Sequence, residues 1–280
     1  MAWNSQATIG SGQSKASTAT VAMTTSAVAE AGRVVIVIVA IDNKSATDTD
    51  IAGEVASITD SAGGNTWSQA LEWVNGRGSA AAGATVAVWI SKLTNQIPSG
   101  GTITANLANA TFAKAITATK ISVAAGSTIS VAGSATRSDV GVDPGLMSIS
   151  GIANSEYLFV RGIAGETNST VQITLSTGYL NTFTADQTSG GAAASNMGVR
   201  GEYRILTTNS GDSSDPTWVS ADHASVFVAL LETLAPSWTV GQGAGTFQPA
   251  SLDEQATDDP ISFILWRVIA SLKRLRLAFT

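Results

Sequence analysis

Apolar residues along this chain fall in short blocks, either unbroken or at two-residue spacing, with polar turns between them. Residues 33–41 read RVVIVIVAI, a β-branched run too short for a membrane helix and dense enough for a strand buried on both faces. That run predicts the centre of a sheet. Residues 84–91 alternate small or polar with apolar side chains, and 101–107 do the same with Ile103, Ala105 and Leu107 on one side, so each predicts a half-buried antiparallel strand. Further strands are predicted at 113–123, 156–163, 170–175, 198–206 and 225–232, separated by Gly, Ser, Asn and Asp clusters that supply turn geometry. Two polar stretches, 126–145 and 185–196, interrupt the rhythm and predict loops at an exposed rim.

Strands at this spacing, with no long helical pattern between them, predict an all-β fold over residues 1–234: an antiparallel, jelly-roll-like β-sandwich. Beyond it the pattern changes. Residues 235–257 hold Pro236, Pro249, Gly241, Gly243 and Gly245 and read as a linker or extended arm. Residues 258–280 predict an amphipathic helix, with Asp259 as N-cap and Pro260 at the first helical position. There Ile261, Leu265, Val268, Leu272, Leu275 and Phe279 follow one another at spacings of four and three, the period of a coiled-coil seam, and Ile264 and Ile269 widen the stripe. Asp258 and Asp259 sit at the positive end of the helix dipole, and Lys273, Arg274 and Arg276 near its negative end. Arg267 breaks the apolar run, so no integral membrane segment is expected. A stripe this wide calls for a protein partner, and Trp266 is the natural anchor in it.

Composition narrows the classes of function. Charged residues are 13% of the chain and hydrophobic residues 44%, which excludes a disordered polyampholyte. A formal net charge of −6 lacks the positive footprint that phosphate backbones demand, so nucleic acid is not an expected partner. Without cysteine there is neither a disulfide framework nor a thiolate metal site, a composition suited to assembly in a reducing cytoplasm. Residues 1–29 lack a basic start followed by an apolar run, which predicts no secretory signal.

Candidate chemistry is sparse. His223, the single histidine, has neither a glycine-elbow serine nor a cysteine to serve as nucleophile, and is expected at a turn or strand edge. No catalytic residue, cofactor or metal site is predicted. Asp42, Asp48 and Asp50, and separately Asp212 and Asp215, lie in loop-like contexts where a hard cation could collect oxygens, although their spacing does not match an EF-hand. Among seven tryptophans, Trp67 and Trp73 flank a turn and Trp89 lies opposite the Val86/Val88/Ile90 face of its strand. These three are the candidate ligand-facing aromatics, able to stack on a sugar, with Trp89 expected on an outer or inter-subunit face.

The order AGRVVIVIVAI, ITDSAGGNTW, VAVWISK and PSGGTITANL, followed by NSEYLFVRGIA, GEYRILT and WVSADHASVFVALLE, resembles a jelly-roll module of phage virion proteins and secreted bacterial proteins. The likeness spans roughly residues 7–234 and departs from the pattern at Gly63-Gly64, where one glycine is usual. The resemblance implies a lectin-like β-sandwich in a particle or on a surface, with no defined activity. The expectation is a non-enzymatic structural protein of a bacteriophage particle: a tail-fibre, baseplate or capsid-decoration component, assembled in the host cytoplasm. It would dock through the C-terminal helix to other virion proteins or identical copies as a homo-oligomer. The alternative is a carbohydrate-binding adhesin that recognises a host surface glycan.

Overall fold

The computed structural model describes residues 3–42, 54–76 and 83–234. They form antiparallel sheets with a single three-residue 3-10 turn, Ala193–Ser195, and no α-helix among the described residues. The first eight strands are β1 (Asn4–Ser14), β2 (Thr18–Thr24), β3 (Val34–Asp42), β4 (Val55–Asp60), β5 (Ser68–Asn75), β6 (Ala84–Lys92), β7 (Thr102–Thr111) and β8 (Lys114–Ser122). They make two sheets, ordered β1-β8-β3-β6-β5 and β2-β7-β4. The second half contributes β9 (Thr128–Val142), β10 (Met147–Ile149), β11 (Ser155–Gly165), β12 (Asn181–Thr182), β13 (Asp186–Gln187), β14 (Gly198–Asn209), β15 (Asp212–Ser214) and β16 (Ala221–Thr233). Its main sheet runs β12-β14-β11-β16-β9, with β13 also on β14, and β10 pairs separately with β15.

The three larger sheets stack in layers, and the five-stranded one lies in the middle. Strand β3 shows why. Val34, Ile36, Ile38 and Ala40 point into a core shared with Leu158, Val160, Val226 and Val228 of the six-stranded sheet. Val35, Val37, Val39 and Ile41 point the other way, into a second core closed by Val21, Met23, Ile103 and Ala105 of the three-stranded sheet. An unbroken apolar run is the pattern a strand needs when both faces are covered. The expected two-layer sandwich is therefore extended by a third sheet.

Two other expectations change. Residues 126–145 are mostly not loop: β9, the longest strand, pairs with β16 along its length. Its small and hydroxylated residues fit an edge strand exposed on much of its surface, where apolar alternation has no core to follow. Residues 170–175 hold only an isolated bridge, Thr174 to Thr217. The 185–196 stretch is tied down by Lys15, whose ammonium donates to Gly190 O at 2.6 Å and Asn196 Oδ1 at 3.1 Å. The arm at 235–257 and the helix at 258–280 lie outside the described residues.

Candidate functional site

Alternation along the six-stranded sheet sorts its residues by face. Even positions of β11 join the inner core. Odd positions face outward, and the register lines them up across strands: Arg161 with Glu202 and Phe227, Ile163 with Arg200 and Ser225, Gly165 with Gly198 and His223. The outer face thus carries two arginines, a glutamate and a histidine, each with no solvent exposure. Charges at such positions persist only when paired and hydrogen-bonded.

Arg161 donates to Ser214 O at 2.9 Å, Gly145 O at 2.9 Å and Ser225 Oγ at 3.2 Å. Burial lowers its pKa to about 10, with Glu202 and Asp139 pulling the other way. Glu202 accepts from Ser176 N at 2.9 Å, from Ser214 Oγ at 2.7 Å and from Ser176 Oγ. Ser214 is thereby the shared link between the guanidinium and the carboxylate.

Next along the face, Arg200 donates to the carbonyls of Ser169, Val171 and Asp186 and lies 4.7 Å over the Trp218 ring. Trp218 lies against Gly165 and Gly198, where a Cβ would come within 2.8 and 2.9 Å of the indole, and anchors its Nε1 on Val171 O. Its centroid is 5.2 Å from that of His223. His223 was expected at a turn or strand edge; it sits instead inside β16, between Gly165 and Asp139. Its ring nitrogens make no close hydrogen bond, and burial lowers the pKa to about 4, against the opposing pulls of Asp139 and of the Val142 backbone. The ring is neutral near pH 7 and sealed from solvent, so it has no route to a substrate proton.

In the Asp212–Asp215 loop the Asp212 carboxylate is similarly occupied. Asp212 takes Tyr179 OH at 2.7 Å and Arg204 Nε at 2.6 Å, with a second bond from Arg204 Nη2. The Asp215 backbone N–H donates to Ser176 Oγ at 2.6 Å. Among the described residues no three His, Asp or Glu side chains are grouped to hold a metal ion. Asp48 and Asp50 lie outside them.

The tryptophans separate. Trp89 was expected on an outer face, but it is 8% exposed and packs in the second core. The alternation was read correctly; the face opposite Val86 and Val88 is covered by the three-stranded sheet. Trp67 and Trp73 are half-buried. Trp73 donates from Nε1 to Ser138 Oγ at 3.0 Å. Trp67 donates to Asp60 Oδ2 at 2.8 Å, completing a latch in which Asp60 also accepts from Ala62 N, Gly63 N and Asn65 Nδ2. Asn65 Oδ1 then accepts from Thr94 N and Asn95 N, and Gly63 and Gly64 take φ of 67° and 71°, conformations that favour glycine. The Asp-Ser…Gly-Asn-Thr-Trp segment is thus a turn lock joining two loops. The docking residues Ile261, Ile264, Leu265, Trp266, Val268, Ile269, Leu272, Leu275 and Phe279 lie outside the described residues.

An open groove of about 470 Å³ runs beside the β10–β15 pair, lined by Ser148, Ser150, Asn209, Ser210 and Ser213 among others. Its polar lining is hydroxyl- and amide-rich, and the one carboxylate there, Asp212, is held by Arg204. Sequence reasoning reached His223 but not Arg161, Arg200 or Glu202. The available signal was a charge set between the core-facing residues of an apolar strand, as in FVRGIA and GVRGEY. No helix among the described residues is long and apolar enough to cross a membrane. No family model, curated protein or solved structure matches the chain.

Proposed function

We propose that the protein is a non-enzymatic structural component of a bacteriophage particle, in a tail fibre, baseplate or capsid decoration. In this reading β1–β8 form a jelly roll: β1-β8-β3-β6 is one four-strand set and β2-β7-β4 faces it, while β5 has moved to the edge beside β6. The layered body presents a Ser/Thr/Gly-rich surface, and the predicted helix at 258–280 docks it to other virion proteins or to identical copies. The supporting observation is that the most chemically capable side chains, Arg161, Arg200, Glu202 and His223, are all enclosed beneath loops. A layer of that kind rigidifies a scaffold, and it keeps these four groups from solvent. The test is mass spectrometry of particles purified from the producing cells. The chain at a stoichiometry fixed relative to the major structural proteins supports the proposal, and its consistent absence from particles removes it.

A second reading, a carbohydrate-binding adhesin, is favoured by the hydroxyl-lined groove beside β10 and β15. Neutral Ser and Asn groups suit a neutral polyol better than an anion. A glycan array read with the full chain tests it: binding lost on Asn209→Ala and Ser213→Ala supports the adhesin, and silence across the array leaves the structural role ahead.

A further inference from the structure

At one corner of the body, two sheet edges meet without pairing. β5 ends the five-stranded sheet and β4 ends the three-stranded one, and no ladder joins them among the described residues. Glu72 of β5 fills that gap. Its side chain faces the second core, since its cross-strand partner is Ala87 and the neighbouring Leu71 and Trp73 pack on the first. The carboxylate accepts from Glu54 N at 2.9 Å and Val55 N at 3.1 Å, where β4 begins, and from Gln69 Nε2 at 2.6 Å. Register shifts fall beside it on both strands, at Gln69/Leu71 and Val55/Ser57, so a side chain takes the place of strand pairing there.

Glu72 is 1% exposed, yet no cation is paired with it among the described residues. The charged group facing it is Glu54, which carries the same sign. Gln69 on its own strand is neutral, Thr85, Ala87 and Trp89 on β6 are uncharged, and so is Leu107 on β7 opposite Val55. We propose that Glu72 is a proton-controlled clasp between the edges of two sheets, closed most firmly when its carboxyl is protonated and loosened when the carboxyl ionises.

The direction follows from linkage. Burial raises the carboxyl from 4.5 to about 7, more than its three N–H donors lower it. Once the corner opens, water solvates the group and its ordinary affinity returns. The closed corner therefore binds the proton more tightly than the open one, and the limiting difference in opening between low and high pH is about 300-fold. A carboxyl of this affinity titrates in the range of cytoplasmic and environmental pH, so the corner responds where most surface acids do not. The clasp is independent of the proposed role in a particle.

The experiment uses the full chain. NMR titration of the Glu72 side-chain carboxyl carbon is expected to give a midpoint near 7. Hydrogen exchange at the Glu54 and Val55 amides, corrected for intrinsic exchange, is expected to show opening that grows toward that limit as pH rises from 5 to 9, while the Ile38 amide in β3 stays flat. Glu72→Gln, which keeps the size and removes the charge, is expected to abolish the change. A carboxyl midpoint near 4.5, opening that does not vary with pH in the unaltered protein, or an unchanged pH response in Glu72→Gln overturns the proposal. The titration decides it even where the variant folds poorly.

Discussion

Ile38 of the middle sheet occupies the space that a side chain on Gly201 of the six-stranded sheet would need. A Cβ at Gly201 would lie 2.5 Å from Ile38 Cδ1, 2.8 Å from Arg161 O and 2.9 Å from Phe183. Gly162, its partner across the β11–β14 register, would meet Ile38 Cγ2 at 3.1 Å. The two glycines form a notch, and one isoleucine fills it. Such overpacking costs about 1–3 kcal/mol. Gly201→Ala is expected to destabilise the fold by that amount and Gly162→Ala by less. Ile38→Val, which deletes the offending methyl, recovers part of the Gly201→Ala loss. Urea unfolding of the double-mutant cycle measures the coupling.

Glu202 closes the buried layer beneath the loops. Glu202→Ala removes three accepted hydrogen bonds and leaves Arg161, itself fully buried, without the largest of the charges that offset its burial. Breaking a buried charge network from one side costs about 3–5 kcal/mol. The loss of stability is expected to exceed that of Ser176→Ala, which removes one hydroxyl and spares the charge.

Lys114 has no solvent exposure, and its ammonium donates to Ala16 O and Thr111 O, both at 2.6 Å, to Thr18 O at 3.0 Å and to Thr18 Oγ1 at 3.2 Å. It binds the β1–β2 turn and the end of β7 to the start of β8 by collecting their carbonyls. Lys114→Met keeps the stem and strips those acceptors, at an expected cost of about 2–3 kcal/mol. Chemical denaturation of the variant checks it.

Two buried groups tilt the pH profile of stability in opposite directions. His223 has its pKa lowered from 6.5 to about 4, so its contribution is fully present above 6.5 and is lost as pH falls toward 4. Glu72 has its pKa raised from 4.5 to about 7, so its contribution is fully present below 4.5 and is lost as pH rises through 7. Each amounts to something on the order of 3 kcal/mol, and between pH 4.5 and 6.5 the two oppose. Relative to the unaltered protein, Glu72→Gln is expected to show stability rising with pH across that window, and His223→Gln to show it falling. Thermal melts at half-unit pH steps measure both slopes.

Much of the body was legible because burial writes itself into alternation. Residues 33–41 predicted a strand covered on both faces, and β3 is one. The same run held the clue to the third layer: a central strand with two buried faces means its neighbours are covered twice as well, which moves Trp89 from the surface into a core. β9 was illegible because an exposed edge strand has no apolar face to announce it. The polar layer was hidden for another reason. Arg161 and Glu202 are opposite one another only through the β11–β14 register, a long-range pairing that no local pattern encodes. Glu72 likewise becomes visible only when two sheet edges are known to meet.

At the centre stands the proposal that the β body is joined to its assembly by the segment that follows it. Light scattering of the full chain against a chain ending at residue 257 tests this most directly, with circular dichroism to compare the β signal of both. The expected result is an oligomer for the full chain and a monomer with an unchanged β signal for the shortened one. The same number of copies for the two, with the β signal intact, would contradict it.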